Sequence, residues 1–300
     1  MIIGIDIGGT SSKLGLVADG RVMARARVQT TGHADEHAFA DALVVEARHM
    51  MAEHDAVVTA VGIGAPNANQ LTGLIEMAPN LPWKHDVPLA RMLSERLGVP
   101  ATLGNDANAA ALGEWRYGAG QGFDDLLVVT LGTGVGSGFI VNGRLVLGSA
   151  GNAGEVGHMT LYPGGRQCTC GRRGCVEAYV SIRGMLATYA EEGGSAVVND
   201  VKGLADLAHA GDHAALGVFA HSAEWLAIAL ANAVCTTGPR RIVLFGGIAR
   251  TGELLVAPLR ERFQASLLNI YHGRVDLAVS ALPDDDAALL GAAALGTLQN

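Results

Sequence analysis

The sequence has little charge, no basic segment and no long apolar run. Of its 300 residues, 17% are charged and 49% hydrophobic, which excludes a disordered tail, because such chains have few apolar residues and high charge. The 21 basic residues form no cluster and are outnumbered by 29 acidic ones, so we expect no nucleic acid and no membrane as partners. The start, Met1 to Asp6, has no basic n-region, and no apolar run reaches about 18 residues, so neither a signal peptide nor a membrane span is predicted.

Cysteine is scarce as well. Four cysteines, three of them between positions 168 and 175, are too few and too clustered for a secreted disulfide scaffold, so we expect a cytoplasmic protein. No low-complexity segment or long linker interrupts the chain. At roughly 100–200 residues per domain, the length predicts one large or two medium-sized domains, each able to bury a core without a disulfide or a metal.

Glycine, by contrast, is abundant: the 41 glycines are about twice the usual share of roughly 7%. Two glycine-rich hairpins resemble each other when residues 8–21 are shifted by 123 positions onto residues 131–144. The coinciding pairs are Gly9/Gly132, Thr10/Thr133, Gly15/Gly138, Gly20/Gly143 and Arg21/Arg144. Turn chemistry alone favours glycine at such places. We nevertheless favour an internal duplication, and hence two related lobes.

Strand and helix patterns alternate along the chain. The predicted strands cover residues 2–7, 13–17, 57–64, 101–104, 126–131, 241–245 and 275–280. The predicted helices cover residues 35–54, 89–97, 107–117, 178–191, 204–210, 214–236, 253–268 and 287–298. This alternation predicts an α/β architecture with mostly buried sheets. We place an N-terminal lobe at 1–117, expect the C-terminal helix at 286–300 to rejoin it, and place a C-terminal lobe at 118–285.

The first glycine turn follows a strand, as a phosphate-binding turn should. Asp6-Ile-Gly-Gly-Thr-Ser-Ser-Lys13 offers consecutive backbone N–H donors, hydroxyl groups and one ammonium to phosphate oxygens. It is not a Walker A loop, because a strand rather than a helix follows it, and it is not a dinucleotide fingerprint. One copy is equally typical of an ordinary hairpin. Two copies in related lobes favour a nucleotide held from both sides, and Phe245-Gly-Gly247 at a strand end adds a third site of close approach.

A cluster of metal-binding residue types lies in the second half of the chain. His158, Cys168, Cys170 and Cys175 supply one imidazole and three thiolates, the donor set of a tetrahedral zinc site. The spacing is not that of a common zinc finger, so redox-active or unrelated buried thiols stay open as alternatives. Four protein ligands leave no open coordination position, which indicates a structural role for Zn²⁺. Cys235 lies in an apolar helix, where we expect a core position.

Two carboxylates flank this cluster, and a third lies elsewhere. Glu155 precedes His158 by three residues and Glu177 follows the last cysteine of the cluster by two, so a metal would fix both, as recognition of a polyhydroxylated substrate requires. Solvated surface carboxylates are the alternative. Asn105 and Asp106 stand at a strand end before a helix. In isolation Asp106 is better explained as a helix N-cap, since Asp is routine there.

Together these motifs resemble those of the ROK kinases (repressor, open reading frame, kinase), and among them most resemble the bacterial glucokinases. The likeness runs almost end to end and lies in Asp6-Ile-Gly-Gly-Thr-Ser-Ser-Lys13, Gly104-Asn-Asp-Ala-Asn-Ala-Ala-Ala-Leu-Gly-Glu114, Leu131-Gly-Thr-Gly-Val-Gly-Ser-Gly138, Gly154-Glu-Val-Gly-His158, Cys168-Thr-Cys-Gly-Arg-Arg-Gly-Cys-Val-Glu177, Phe245-Gly-Gly247 and Asp286-Ala-Ala-Leu-Leu-Gly-Ala292. The resemblance implies a two-lobed actin-like ATPase (ribonuclease H-like) fold with duplicated β-hairpin phosphate motifs. The Glu-x-Gly-His element with the cysteine cluster is highly specific, whereas the glycine turns alone are not.

The resemblance also implies a role for each motif. Asp106 would be the catalytic base in phosphoryl transfer from ATP, with Mg²⁺, to the 6-hydroxyl of glucose. The hexose would be contacted by Asn80, Asn105, Asp106, Glu155, His158 and Glu177, and structural Zn²⁺ would be held by His158, Cys168, Cys170 and Cys175. ATP would be bound by Asp6, Gly8, Gly9, Thr10, Lys13, Gly132, Thr133, Gly134, Gly246 and Gly247. The family further implies a homodimer.

Several alternatives stay open. Another hexose, such as N-acetylglucosamine, N-acetylmannosamine, fructose or mannose, would suit the same machinery, and polyphosphate would be an alternative donor. A sugar-responsive repressor is disfavoured, because such relatives carry an N-terminal DNA-binding domain and here the phosphate motif begins at Asp6. An actin-like scaffold has no use for the cysteine cluster. Many relatives have Gly-x-Pro-Gly where this chain has Gly64-Ala-Pro-Asn67. The side chain of Asn67, in place of the last glycine, would reshape the sugar pocket, so the preferred hexose stays open.

Overall fold

The computed structural model describes residues 1–78, 80–283 and 286–298, in which helices and strands alternate. Up to residue 145 the elements are β1 (Ile2–Ile7), β2 (Ser11–Ala18), β3 (Arg21–Gln29), α1 (Glu36–Glu53), β4 (Ala60–Gly64), β5 (Ala68–Asn69), β6 (Leu74–Ile75), α2 (Leu89–Leu97), β7 (Ala101–Gly104), α3 (Asp106–Tyr117), β8 (Leu126–Leu131), β9 (Val135–Val141) and β10 (Arg144–Leu145). Beyond it they are α4 (Glu177–Val180), α5 (Ile182–Glu191), α6 (Val201–His209), α7 (His213–Thr237), β11 (Arg241–Phe245), α8 (Glu253–Ser266), β12 (Asp276–Val279) and α9 (Ala287–Gly296).

The chain divides into two compact units, each built on one five-stranded sheet. Unit 1 comprises the described residues of 1–122, 145–153 and 281–298, and unit 2 comprises 123–144 and 154–280. The strand orders are β3-β2-β1-β4-β7 and β10-β9-β8-β11-β12. In each sheet an antiparallel hairpin (β1–β2 or β8–β9) is followed by two parallel strands. The matching order and direction support the duplication inferred from the glycine turns.

The structure adds strands to the predicted set and divides one predicted helix. The added strands are β3, β5, β6, β9 and β10, of which β9 and β10 belong to the second glycine-rich hairpin. Strand β3 exposes every second residue, as does a strand with one solvated face. Four of its five exposed residues are charged or polar, and the fifth is Met23. The helix predicted over 178–191 is two helices, α4 and α5. The backbone is extended at Ser181, whose hydroxyl oxygen accepts a hydrogen bond from the N–H of Gly184 and caps α5.

Helix α9 packs directly on the sheet of unit 1. A Cβ atom on Gly62 of β4 would overlap the carbonyl oxygen of Ala292, and one on Gly4 of β1 would overlap that of Leu289. Only glycine permits such close approach of a helix to a sheet backbone. The residues of α9 from Leu289 to Leu295 are all buried, so this helix supplies much of the core of unit 1.

Helix α7 is the longest helix of unit 2. It has 25 residues, and its mean hydropathy over an 18-residue window is 1.5. By length and composition alone it could cross a membrane, although Glu224 interrupts its apolar residues. Within the structure 61% of that window is buried. The core helix of a globular unit passes the same test, so α7 is weak evidence for a membrane span.

Candidate active site and metal centre

The first of the two predicted phosphate-binding turns, Gly8 to Thr10, joins β1 to β2 and is held by the buried Thr30; the pair are called the first and second phosphate turns for that prediction. The hydroxyl of Thr30 donates to the carbonyl oxygen of Gly8 at 2.7 Å, and its N–H donates to the carbonyl of Thr10 at 2.9 Å. The hydroxyl of Ser12 lies 2.8 Å from that of Thr30, and both side chains are fully buried. The sequence analysis did not identify Thr30. Its only signal is its position directly after β3, a strand that was not predicted.

Asn80 lies beside this turn. A Cβ atom on Gly9 would come within 2.8 Å of the carbonyl oxygen of Asn80, so Gly9 permits the two segments to touch. The side chain of Asn80 is exposed. The structure therefore brings a predicted hexose contact and a predicted phosphate contact together.

Asp106 is the first residue of α3, and the N-cap is Asn105. The Oδ1 atom of Asn105 accepts a hydrogen bond from the N–H of Asn108 at 2.7 Å. The N-cap interpretation of Asp106 is therefore wrong, because its neighbour performs that role. The capping bond uses Oδ1 of Asn105, so a sugar contact of this residue would draw on its Nδ2 donor.

The carboxyl group of Asp106 is accessible but poorly solvated. Its side chain is exposed to solvent, yet the dense protein around it desolvates the carboxylate and raises its pKa, an effect that the N–H of Ala107, bonded to Oδ1 at 2.9 Å, partly opposes. Desolvation likewise raises the pKa of Asp6. The ammonium of Lys13 opposes this increase, and the negative charge of Asp106 adds to it. Asp6, Lys13 and Asp106 thus form one electrostatic group in unit 1.

The second phosphate turn, Gly132 to Gly134, lies between β8 and β9 in unit 2. Its N–H at Gly132 donates to the carbonyl of Gly134 at 3.0 Å, and the N–H of Ile182 donates to the carbonyl of Gly132 at 2.9 Å. Gly246, with a φ of 100°, follows β11 so closely against β8 that a Cβ atom would lie 2.5 Å from the carbonyl oxygen of Leu131. The predicted phosphate residues of this half therefore lie together.

The loop from Gly154 to His158 packs on β9. Its last three residues, Val156–His158, form a short 3₁₀ helix. The hydroxyl of Ser137 bonds the carbonyl of Gly154 and accepts from the N–H of Val156, and a Cβ atom on Gly157 would overlap the carbonyl oxygen of Val135. This packing fixes the backbone on both sides of Glu155, whose side chain is exposed.

The four candidate metal ligands converge. One donor atom from each of His158, Cys168, Cys170 and Cys175 lies within 4.8 Å of all the others. The Sγ atoms of Cys170 and Cys175 are 3.7 Å apart, as are the Sγ of Cys168 and the Nδ1 of His158. Tetrahedral Zn²⁺ with Zn–S bonds of about 2.3 Å requires sulfur atoms roughly 3.8 Å apart. The donor set and its spacing therefore fit zinc.

Thiol acidity within the cluster is uneven. Burial, reinforced by hydrogen bonds from the neighbouring thiols, raises the pKa of Cys175 to about 12, whereas a backbone hydrogen bond at Arg172 lowers the pKa of Cys170. A bound cation would deprotonate all three thiols. Cys235, expected in the core, is exposed instead, because it shares with Ile228 and Asn232 the face of α7 that points to solvent.

Glu177 is buried and both its carboxylate oxygens have partners in unit 2. Oε2 accepts from the N–H of Val135 at 3.0 Å, and Oε1 accepts from the hydroxyl of Thr169 at 2.7 Å. Oε1 also lies 3.6 Å from the Sγ of Cys168. Sequence reasoning placed Glu177 near the cluster but missed its contact with the second phosphate turn, which is 42 residues away in the chain.

Asn67, the departure from the family pattern, adopts a left-handed backbone with a φ of 52°. Among residues other than glycine, asparagine tolerates this conformation best. Its Nδ2 donates to the carbonyl of Glu76 at 3.2 Å. The left-handed backbone at position 67 is one that glycine also adopts readily, and the Asn67 side chain is tied to the residue that follows β6.

Comparison with known proteins identifies relatives over the whole chain. The ROK family model matches residues 2–298. Glucokinase from Thermotoga maritima is 35% identical over 98% of this chain and 96% of its own length, and N-acetylmannosamine kinase from Shigella flexneri is 33% identical over 98% and 97%. The xylose repressor of Bacillus subtilis is 30% identical, but the match covers 76% of this chain and only 59% of the repressor.

Solved structures agree with this result. A ROK hexokinase from Thermus thermophilus superposes with a TM-score of 0.83 at 36% identity, covering 98% of this chain and 97% of the other. A ROK glucokinase from Streptomyces griseus, solved with glucose and AMPPNP, gives 0.78 at 33% identity and covers 98% of both chains. The predicted α/β fold, that of the actin-like ATPases, is confirmed, and the chain belongs to the ROK family.

Proposed function

We propose that this protein transfers the γ-phosphoryl group of ATP to the 6-hydroxyl of glucose, with Asp106 as the general base. It is a sugar kinase of the ROK family, since relatives that match it from end to end are sugar kinases, one of them solved with glucose and AMPPNP. The observation that carries the assignment to Asp106 is its environment. It is an accessible carboxylate with a raised pKa, it is free of the capping role, and it acts electrostatically on Asp6.

The chemistry that this environment supports is proton removal during attack. An alkyl hydroxyl is a poor nucleophile near neutral pH, so a carboxylate must accept its proton as the oxygen forms a bond to the γ-phosphorus and the bond to the β-phosphate oxygen breaks. Desolvation makes Asp106 a stronger base than a solvated carboxylate. Backbone N–H groups of the two turns and Lys13 would bind phosphate oxygens. Mg²⁺, held on the phosphates with Asp6 as its carboxylate ligand, would offset their charge.

Hexose binding is assigned to the remaining polar residues. We infer that Asn80 and Asn105 supply amide groups and that Glu155 and Glu177 supply acceptors for sugar hydroxyls. His158 has Nδ1 turned toward the cysteines, which leaves Nε2 for a hydroxyl. A structural Zn²⁺ held by His158, Cys168, Cys170 and Cys175 would fix the orientation of that imidazole.

Relatives with different activities bear on the identity of the hexose. The N-acetylmannosamine kinase relative makes a different hexose the second candidate, and the repressor relatives make operator binding the candidate of another class. The experiment is a panel of sugars against ATP and polyphosphate, with coupled detection of ADP and direct detection of sugar phosphate. We expect the highest kcat/KM for glucose with ATP. A higher value for another sugar would overturn the glucose assignment, and no turnover with any sugar would overturn the kinase.

Asp106→Asn and the oligomeric state are measured beside the panel. Asp106→Asn run through the same panel controls for contaminating kinases. Light scattering of the purified protein tests the homodimer that the family implies, and a monomer would refute it.

A further inference from the structure

We propose that Glu177 is a positioning residue that joins the Cys/His cluster to the second phosphate turn, so that metal occupancy of the cluster sets the geometry of residues 132–135. The inference rests on the nucleotide role proposed above for that turn. Glu177 is 8% exposed and begins α4 directly after the last cysteine of the cluster. Its place in the chain therefore ties it to the cluster, while its carboxylate reaches a distant hairpin.

The contact with the turn is made by one oxygen and is close. Oε2 accepts the hydrogen bond from the N–H of Val135 at 3.0 Å. A Cβ atom on Gly134 would lie only 2.8 Å from the same oxygen, so the carboxylate fits because position 134 has no side chain. These two observations place Oε2 against the backbone where the turn enters β9.

The contact with the cluster is made by the other oxygen. Oε1 accepts from the hydroxyl of Thr169 at 2.7 Å and lies 3.6 Å from the Sγ of Cys168. That sulfur is in turn 3.7 Å from Nδ1 of His158. Both oxygens therefore accept a hydrogen bond, Oε1 from the hydroxyl of Thr169, the neighbour of Cys168 in the chain, and Oε2 from the N–H of Val135, and the planar carboxylate links the two.

Metal occupancy of the cluster should change the hydrogen bond between Glu177 and Val135. When the cluster is loaded, Cys168 and Thr169 are fixed, and the orientation of the carboxylate is fixed with them. When the cluster is empty, these two residues can move, the carboxylate can rotate, and the buried N–H of Val135 loses its acceptor. The loop of His158 packs on the carbonyl side of the same residue, because a Cβ atom on Gly157 would overlap that oxygen. Val135 thus directly follows the second phosphate turn and contacts the loop 154–158, which carries Glu155 and His158.

Amide hydrogen exchange at Val135 tests the link directly, without any substrate. We expect slow exchange in the zinc-loaded protein and exchange about tenfold faster after chelation, as for a lost hydrogen bond to a charged group. Glu177→Ala should exchange fast in both states. Glu177→Gln, which keeps one acceptor and one donor, should restore most of the protection. Val243 in the middle of β11 reports on global unfolding and should stay slow throughout.

A matched control removes a carboxylate of the same unit that does not touch the turn. Glu192 pairs with His221 at 3.1 Å, so Glu192→Ala should behave as the wild type. If chelation leaves Val135 unchanged in the wild type, or speeds it equally in Glu177→Ala, the proposal is overturned. Loss of protection at Val243 in Glu177→Ala would mean that this variant unfolds globally, and Glu177→Gln then provides the test. If Glu177→Gln is folded but Val135 is still unprotected, the proposal is overturned.

A nucleotide readout separates this proposal from the proposed function. Binding of AMPPNP without hexose should weaken about tenfold on chelation of the wild type and in Glu177→Ala, and chelation of Glu177→Ala should add nothing. Additive losses would overturn the link. If AMPPNP binds to none of these proteins while the exchange pattern is as expected, the link stands and the kinase function fails.

Discussion

The two phosphate turns occupy the same place in sheets of the same topology, but different side chains hold them. Each joins the strands of an antiparallel hairpin at the same place in a sheet of the same order. The first is held by the buried hydroxyl of Thr30, and the second by the carboxylate of Glu177 and the N–H of Ile182. Each turn is thus bonded to a group outside its own hairpin, the first to a neutral hydroxyl pair and the second to a carboxylate beside the Cys/His cluster.

The surroundings of the turns differ in chemistry as well. The first turn shares unit 1 with the desolvated carboxylates of Asp6 and Asp106. The second shares unit 2 with three thiols and an imidazole. In the proposed enzyme the first would therefore carry proton transfer and the second would depend on a metal, and each can be broken separately.

The largest effect is expected from Asp106→Asn. Because the amide cannot accept the proton, kcat should fall by about 10²–10⁴-fold, the usual contribution of a general base, while hexose binding and zinc content stay near those of the wild type. Steady-state kinetics, calorimetric titration with glucose and metal analysis measure the three quantities. Near-normal turnover would show that Asp106 is not the base.

The pH profile of the wild type sharpens this result. A base must be deprotonated to act, so kcat/KM should fall as the pH drops through the pKa of Asp106, which lies above its ordinary value. The stability effect has the opposite sign: a raised pKa in the folded state disfavours the charged form, and this penalty disappears as the pH falls. Asp106→Asn should therefore melt no lower than the wild type at neutral pH. A clearly lower Tm would mean that the carboxylate stabilises the fold.

Removal of two metal ligands by Cys168→Ser with Cys170→Ser should affect unit 2 alone. We expect loss of the copurified zinc and loss of glucose affinity, because His158 is no longer oriented; losing outer-shell partners alone typically costs about 10–100-fold. The fold should survive, since Arg166 stacks on Tyr179 at 4.7 Å and on Trp225 at 5.7 Å and so anchors this loop without a metal. Metal analysis, glucose titration and thermal melting report the outcomes.

The control for that variant is Cys235→Ser, at the exposed cysteine of α7. It should match the wild type in zinc content and glucose affinity. A wild-type protein without zinc would remove the basis for the predicted metal site, and a double variant that unfolds would show that the loop depends on the metal after all.

Much of this molecule follows from the sequence, and what does not is long-range. The glycine turns, the cysteine spacing and the start of α3 are local patterns, so sequence reasoning locates them within a few residues. The link between Glu177 and Val135 spans 42 positions and depends on how a loop packs on a strand, which no local pattern records. Thr30 was missed for a related reason: its hydroxyl bonds the carbonyl of Gly8, 22 positions away in the chain, and no local pattern marks that contact.

Breaking the support of the first turn is expected to have a moderate effect. Thr30→Val removes the donor to Gly8 and leaves the buried hydroxyl of Ser12 without its partner, which should cost about 1–3 kcal/mol of unfolding free energy. AMPPNP affinity should fall whether or not zinc is present, unlike the loss expected at the second turn. Thr30→Ser retains the hydroxyl and serves as the control. Equal denaturant midpoints for both variants would show that the hydroxyl does not support the turn.

Alanine substitutions at the equivalent glycines of the two turns, Gly9 and Gly132, should differ in their effect on stability. The smallest effect is expected from Gly132→Ala in the second turn. At Gly9 a Cβ atom would press on the carbonyl oxygen of Asn80 at 2.8 Å, so Gly9→Ala should lower the unfolding free energy by about 1–3 kcal/mol through overpacking. At Gly132, the equivalent position, a Cβ atom meets no protein atom within 4 Å, so Gly132→Ala should leave the melting temperature unchanged. That open space is where we propose that nucleotide phosphates bind, so Gly132→Ala should still raise the KM for ATP. Unchanged KM with unchanged stability would mean that the second turn does not approach the nucleotide, and the likeness of the two hairpins would then be one of backbone alone.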